Sequence, residues 1–261
     1  MSLLKAVLLG IVQGLTEFLP ISSSGHLVIF QRLFGLEAAG VTLEVLLHFG
    51  TLLAVFWVFW RDFLALLKFP KDALQRRFLL LLILGCIPTA LIGYFLGPFI
   101  ESIFHSLLLT GAALIVTGIL LKLLTLLPEG QKNVAAMQPA DALWIGLIQG
   151  IAVIPGLSRS GSTITAALWR GLDRPTAVRY SFMLAAPVIL GATLLEIKDM
   201  AAAGIEKGFL LPYAAGTITA CLCGALAIRL FIRLLQQQKF HYFAYYCWLV
   251  GAAAIAAHYF F

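Results

Sequence analysis

The chain has 261 residues, of which 61% are hydrophobic and 11% charged. Soluble domains carry roughly 25% charged residues, so this composition excludes a water-soluble globule and makes lipid the solvent. The net charge of +6 is then no sign of nucleic-acid binding, which wants a basic patch interleaved with aromatics.

Taken in chain order, residues 1–15, MSLLKAVLLGIVQGL, could pass for a signal peptide. Lys5 is the only charge available to an n-region and no A-x-A site follows, so the segment reads as part of the fold. A membrane-crossing helix needs about 20 apolar residues. Six segments qualify, near 42–60, 78–97, 106–127, 180–197, 209–228 and 242–261. Two others, 3–19 and 141–155, are apolar but short, and each runs into a proline and then a Ser/Gly cluster. The residue before a proline resists helix, which predicts helix ends at Leu19 and Ile154. A second short helix is predicted after each cluster, near 24–34 and 161–171. Helix, break, helix at this length is a re-entrant hairpin, tolerated at membrane depth only where protein buries it or a cavity adjoins it.

The loops set the sidedness. Arg61, Lys68, Lys71, Arg76 and Arg77 fill one loop, and Lys132, Arg170, Arg174 and Arg179 fill the next on the same side. Arg229, Arg233 and Lys239 fill the third. Lys5, Arg32, Lys198 and Lys207 on the opposite side are offset by Glu37, Glu101, Asp199 and Glu206. The basic side is expected to be cytoplasmic, with both termini outside. Trp57, Trp60, Tyr245, Tyr246 and Trp248 are expected in the aromatic belts, and His105, His241 and His258 near span ends. Cys86, Cys221, Cys223 and Cys247 lie in apolar runs without a CxxC pair and read as small helix hydrophobes.

GIVQGLTEFLPISSSGHLVI, from Gly10, aligns without a gap on GLIQGIAVIPGLSRSGSTIT, from Gly146. Carried to residues 37 and 173, the identical pairs are Gly10/Gly146, Gln13/Gln149, Gly14/Gly150, Ser22/Ser158, Ser24/Ser160, Gly25/Gly161, Gly35/Gly171 and Leu36/Leu172. Glu37 faces Asp173 as a similar pair. Three spans separate the copies, so the second is upside down relative to the first. The expected architecture is an all-α membrane protein of about six transmembrane helices plus two re-entrant hairpins, in one membrane domain of inverted repeats at 1–127 and 128–261. Transporters of this plan hold their site near the midplane, where the broken helices meet.

Each tip opens a helix N-terminus, whose free N–H groups and dipole favour an anion. Ser22, Ser24, Gly25, Ser158, Ser160, Gly161 and Thr163 are candidate phosphate contacts, and Arg159 adds a planar cation suited to bidentate phosphate binding. The copies differ where chemistry would sit: Glu17 faces Val153, Ser23 faces Arg159, and His26 faces Ser162. Binding an anion needs neither Glu17 nor His26. Breaking a phosphate bond uses an attacking hydroxyl, a group that takes its proton and a cation for the developing charge. Either Glu17 or His26 could accept the Ser23 proton, and water activated by His26 is a second route. Gln13 and Glu17, at i and i+4, share a helix face and could join substrate oxygens around Mg²⁺ or Ca²⁺. Glu44 and His48 form another i, i+4 pair, read as a polar pair within the bundle or as support for the site.

QGLTEFLPISSSGH and PGLSRSGST resemble the two signature motifs of the bacterial undecaprenyl pyrophosphate phosphatase family, linked to bacitracin resistance, and LEVLLHFGTLLAVFWVFW at 43–60 looks like that family too. The resemblance covers nearly the whole chain. It implies removal of the terminal phosphate from a C55 polyprenyl diphosphate, recycling the carrier for peptidoglycan and other cell-wall polymers. It also implies a divalent cation and a site in the cytoplasmic membrane open to the periplasm. The serine most often proposed there as nucleophile falls on Ser23, the histidine on His26 and the arginine on Arg159. The family's first motif begins with Glu or Gln, and Gln13 leaves one carboxylate fewer for metal. Expected partners are a polyprenyl diphosphate lipid, the membrane and no nucleic acid, with a homodimer left open. A flippase or transporter of an anionic polyprenyl lipid is the rival class, because the repeat suits alternating access.

Overall fold

The computed structural model describes residues 2–35, 40–104, 106–128, 130–203, 210–237 and 240–260. Leu36, Glu37, His105, Glu206, Lys207 and Lys239 lie outside the described residues. The described residues are mostly helical, with one isolated bridge between Lys132 and Leu172. Its elements are α1 (Leu3–Phe18), α2 (Ser23–Leu33), α3 (Gly40–Val58), α4 (Trp60–Leu66), α5 (Ala73–Ile103), α6 (Leu107–Leu124), α7 (Pro139–Ile151), α8 (Arg159–Trp169), α9 (Arg174–Ala203), α10 (Leu210–Gln236) and α11 (His241–Phe260).

The two short apolar segments form helix pairs, as their prolines predict. α1 starts on Ser2, whose hydroxyl accepts from the Lys5 N–H, and stops where Leu19 turns extended (φ −70°, ψ 145°) ahead of Pro20. α7 starts on a capping box between Gln138 and Asp141, with Pro139 in its first turn. It ends at Ile151, three residues before the predicted Ile154, because the reversal begins upstream of Pro155 and is completed at Gly156 (φ 93°).

α5, α6, α9 and α10 are long and apolar enough to cross a membrane, and α3 with α4 makes a fifth such unit, bent by 74°. α11, at 20 residues, has the length but carries Tyr242, Tyr245, Tyr246, His258 and Tyr259 along it. Several helices outrun their predicted spans: α5 begins at Ala73 rather than 78, and α9 at Arg174 rather than 180. Hydropathy marks the part of a helix that lies in lipid, while the backbone continues helical through the polar interface. Leu80, Leu91, Tyr94, Leu226 and Leu249 are half or more exposed. An apolar outer surface of this kind is at home in lipid.

Small residues let the helix backbones meet. Gly10 of α1 lies on the Gly216 carbonyl of α10, and Gly146 of α7 lies on the Gly85 carbonyl of α5. Gly111 of α6 and Gly251 of α11 face each other's carbonyls, each leaving 2.7 Å for an added Cβ. An aromatic cluster packs on the end of α1 through Phe18. Phe182 of α9 meets Phe18 edge-on at 5.5 Å and also packs on Phe59 and Phe231. The fully buried Tyr180 donates its hydroxyl to the Leu81 carbonyl at 2.7 Å. Some of the expected loop cations are paired at the bundle's end. Buried Asp141 holds Arg170 Nε at 2.7 Å and Lys132 Nζ at 3.3 Å, and Asp62 holds Arg179 at 2.6 Å.

Candidate active site

The tip between α1 and α2 meets the tip between α7 and α8 inside the bundle. Contact is reciprocal: Gly25 lies against the Gly156 Cα, and Gly161 lies against the Pro20 Cβ. Ser160 Oγ donates across the gap to the Leu19 carbonyl at 3.3 Å. Both tips build the same cap. Ser22 Oγ accepts from the Gly25 N–H at 3.3 Å and contacts Ser24 Oγ at 3.3 Å. Ser158 Oγ accepts from the Gly161 N–H at 3.1 Å and contacts Ser160 Oγ at 3.3 Å. Ser22 and Ser158 are therefore N-caps, and the Gly25 and Gly161 N–H groups serve those caps. α6 clasps the second tip, since Thr117 Oγ1 donates to the Gly156 carbonyl at 2.9 Å and accepts from the Ser158 N–H at 3.0 Å.

Glu17 is the hub. Its Oε2 accepts from Ser23 Oγ at 2.5 Å and from Gln13 Nε2 at 3.0 Å. Its Oε1 accepts from Arg159 Nη2 at 2.5 Å. The carboxylate side chain is 5% exposed and the guanidinium side chain 15%, so the pair is largely withdrawn from solvent. Ser23 is half-buried and remains reachable. Arg159 Nη1 is buried with no partner, and so is Gln13 Oε1. An orphaned donor and an orphaned acceptor thus lie beside one carboxylate, where most buried polar groups would be paired.

His26 is turned away from this hub. Its Nδ1–H donates to the Ser22 carbonyl at 2.7 Å, and its Nε2 accepts from the Tyr246 hydroxyl at 2.8 Å. The two rings stack with centroids 5.6 Å apart. Tyr246, expected in the aromatic belt, thus reaches inward from α11 to the first tip. Thr163, expected to contact phosphate, is fully buried; its hydroxyl donates to the Arg159 carbonyl and bonds the Ser181 hydroxyl. The group that the sequence left ambiguous is His48. Its Nε2 lies 3.7 Å from Glu17 Oε2, while Glu44 turns aside to accept from Gln31 Nε2. The i, i+4 spacing pointed at a pair within α3, and only packing of α3 on α1 brings His48 to Glu17. Nothing local to α11 marks Tyr246.

Among the described residues no three His, Cys, Asp or Glu side chains gather as a metal centre. The hard donors at the hub are Glu17 and the free Gln13 Oε1, which suit a divalent cation only if a phosphate ligand supplies the remaining oxygens.

The family described as bacitracin resistance protein BacA matches residues 6–253. The chain is 48% identical to an undecaprenyl-diphosphatase of Halothermothrix orenii over 98% of both chains. It is 42% identical to one of Alkaliphilus metalliredigens, again over 98% of both. A protein of the same name from Methanosphaera stadtmanae is 40% identical over 98% of each chain.

Proposed function

The chain belongs to the bacitracin resistance protein BacA family, and we infer that it is a membrane phosphatase that removes the terminal phosphate of undecaprenyl diphosphate. The product, undecaprenyl monophosphate, is the carrier returned to peptidoglycan and other cell-wall polymer synthesis, and bacitracin resistance follows from that recycling. The observation that carries the residue roles is the Ser23 hydroxyl donating at 2.5 Å to a carboxylate that also holds Arg159.

Arg159, through Nη1, and the first-turn N–H groups of α2 and α8 bind the diphosphate oxygens. Glu17 takes the proton as Ser23 Oγ attacks the terminal phosphorus. The Oγ–P bond forms, the bridging P–O bond breaks, and the lipid monophosphate leaves. Once Glu17 has released that proton to solvent, water attacks the phosphoserine, Glu17 takes a proton from the water, the Oγ–P bond breaks and Glu17 returns the proton to Ser23 Oγ as phosphate departs. Arg159 stabilises the charge on the transferring group in both halves. Gln13 and Glu17, with diphosphate oxygens, would hold a Mg²⁺ or Ca²⁺ ion, which neutralises phosphate charge when bound. His26, tied through Nδ1–H to the Ser22 carbonyl, shapes the turn that presents Ser23. Transport alone makes no use of a hydroxyl paired with a carboxylate, so nothing in the site favours a flippase.

The surrounding architecture is six spans and two re-entrant hairpins in inverted repeats, 1–127 and 128–261, in the cytoplasmic membrane. Three paired observations support it: matching Ser caps, reciprocal Gly25–Gly156 and Gly161–Pro20 contacts, and the α1–α10 crossing mirrored by α7–α5. The basic loops support a cytoplasmic face opposite a periplasmic site, with the prenyl chain lying between helices.

The test is phosphate release from undecaprenyl diphosphate by the purified protein with Mg²⁺ or Ca²⁺, followed by acid quench and mass spectrometry. Release together with phosphate trapped on Ser23 is the expected result. Release without a phosphoserine at any time point would transfer the attack to water.

A further inference from the structure

We propose that the basic end of α5 carries a groove for one anionic phospholipid, with its phosphate diester held by Arg76 and Arg77 and an acyl chain laid along Leu80 and Leu84. The groove, about 520 Å³, lies between α5 and the segment leading into α7, where Ala135 and Pro139 form the opposite wall. That volume falls within the roughly 300–1,000 Å³ of ligand pockets. None of the lining residues belongs to the Glu17 hub, so the proposal stands apart from the phosphatase reading.

The order of residues along α5 matches a phospholipid from head to tail. Arg76, Leu80 and Leu84 follow at i, i+4 and i+8 and share a helix face. From Arg76 to Leu84 the helix rises about 12 Å, most of the roughly 15 Å of hydrocarbon in one leaflet. Both arginines precede the apolar run that begins at 78, so they stand at headgroup level with the leucines in the oil beyond them. Leu80 is 55% exposed, which gives an acyl chain an open apolar surface to lie on.

Charge selects the head. Arg77 is fixed at the groove, because its Nη2 donates to the Met137 carbonyl at 2.7 Å, and a neutral carbonyl leaves the guanidinium charge uncompensated. No acid lines the groove among the described residues. The described acids nearby are engaged elsewhere: Asp62 holds Arg179, and Asp141 holds Arg170 and Lys132. Asp72 accepts from the Leu74 and Gln75 N–H groups at the start of α5. Two guanidiniums without a carboxylate repel the ammonium of a zwitterionic head. They attract a phosphate diester of net negative charge, which arginine grips through paired N–H donors. Basic pockets between helices at the cytoplasmic face of a membrane bind anionic headgroups on these terms.

The test is native mass spectrometry of the full chain released from nanodiscs of equimolar phosphatidylglycerol and phosphatidylcholine. Wild type should retain one phosphatidylglycerol in preference to phosphatidylcholine. Arg76→Gln should weaken that retention about fivefold, the worth of one basic residue at an anionic membrane surface, and Arg76→Gln/Arg77→Gln about 25-fold. Arg76→Gln leaves the Arg77–Met137 bond in place, so its fold is protected. Ala135→Phe, at an exposed position, fills the groove while keeping both charges and should also lose the lipid. Lys68→Gln/Lys71→Gln removes two exposed charges of the same loop outside the groove and should retain phosphatidylglycerol as wild type does. Equal retention of the two lipids by wild type overturns the proposal. So does an Ala135→Phe protein that keeps its lipid. A Lys68/Lys71 variant that loses as much as the Arg76/Arg77 variant overturns it too, because the preference would then belong to the charge of the whole surface.

Discussion

The two tips share a cap and differ in the turn that leads into it. In the second tip the chain reverses at Gly156, whose φ of 93° costs a glycine little, and Ser158 then caps α8 from an ordinary extended conformation at φ −75°. The aligned position in the first tip is Pro20, whose ring fixes φ near −65°. The reversal therefore falls two residues later, on Ser22, at φ 67° and ψ 100°. Ser22 has the only positive φ among the described residues other than glycine. Such a residue costs on the order of 1–3 kcal/mol and persists only where surroundings hold it. The strained tip is the one that carries Ser23, and the relaxed tip supplies Arg159. The comparison teaches that the fold builds the same serine cap twice and sets a carboxylate beside a hydroxyl in only one copy.

Removing the equipment that differs should have the largest effect. Glu17→Gln leaves Ser23 without a base and Arg159 without its counter-charge. Phosphate release should fall by at least about 10³-fold, as loss of an activating base does. Its twin Val153 is 40% exposed and touches none of the hub residues through a polar group. Val153→Ala, a surface change of the kind that shifts stability by no more than about 0.5 kcal/mol, should stay within about twofold of wild type. Equal losses in the two variants, measured at saturating substrate, would erase the functional asymmetry.

Gly156→Ala tests the turn instead of the chemistry. An added Cβ would sit 2.2 Å from the Thr110 carbonyl oxygen and 2.8 Å from the Ala113 Cβ, and the residue would keep a positive φ. Backbone on one side cannot yield, so destabilisation of about 2–3 kcal/mol is expected. The check is the thermal midpoint in detergent. The same variant should lower phosphate release, because Gly156 lies against Gly25 and a displaced second tip moves Arg159 from Glu17.

Much of this was legible from residue order. Prolines and Ser/Gly clusters marked both hairpins, and the ungapped repeat paired them before any contact was known. The Glu17–Ser23–Arg159 hub follows from the positions where the copies differ. What sequence left open was direction. Glu17 and His26 were equal candidates for the Ser23 proton, and side-chain packing separates them: Glu17 reaches Ser23, while His26 is drawn to Tyr246 on a helix 220 residues away. Thr163 shared a tip with the candidate phosphate contacts, yet its helical position turns the hydroxyl toward Ser181. Spacing along one helix says which side chains share a face, not which helix that face meets. For the same reason spacing left His48 either a polar partner of Glu44 or a support for the site, and the packing of α3 on α1 puts its Nε2 3.7 Å from Glu17.

The smallest effect is the sharpest test of the strain itself. Replacing an N-cap serine with glycine costs only a few tenths of a kcal/mol. At Ser158, where φ is already ordinary, Ser158→Gly should show that small loss and nothing else. At Ser22 the same substitution also relieves a left-handed serine, which costs roughly 1–2 kcal/mol. Ser22→Gly should therefore hold or raise the thermal midpoint while Ser158→Gly lowers it. Activity should move the opposite way for Ser22. Once glycine frees the turn, Ser23 is less firmly held at 2.5 Å from Glu17, and kcat should fall several-fold in a protein of equal or greater stability. A Ser22→Gly protein that is both less stable and fully active would mean that the turn is relaxed and that the placement of Ser23 does not depend on it.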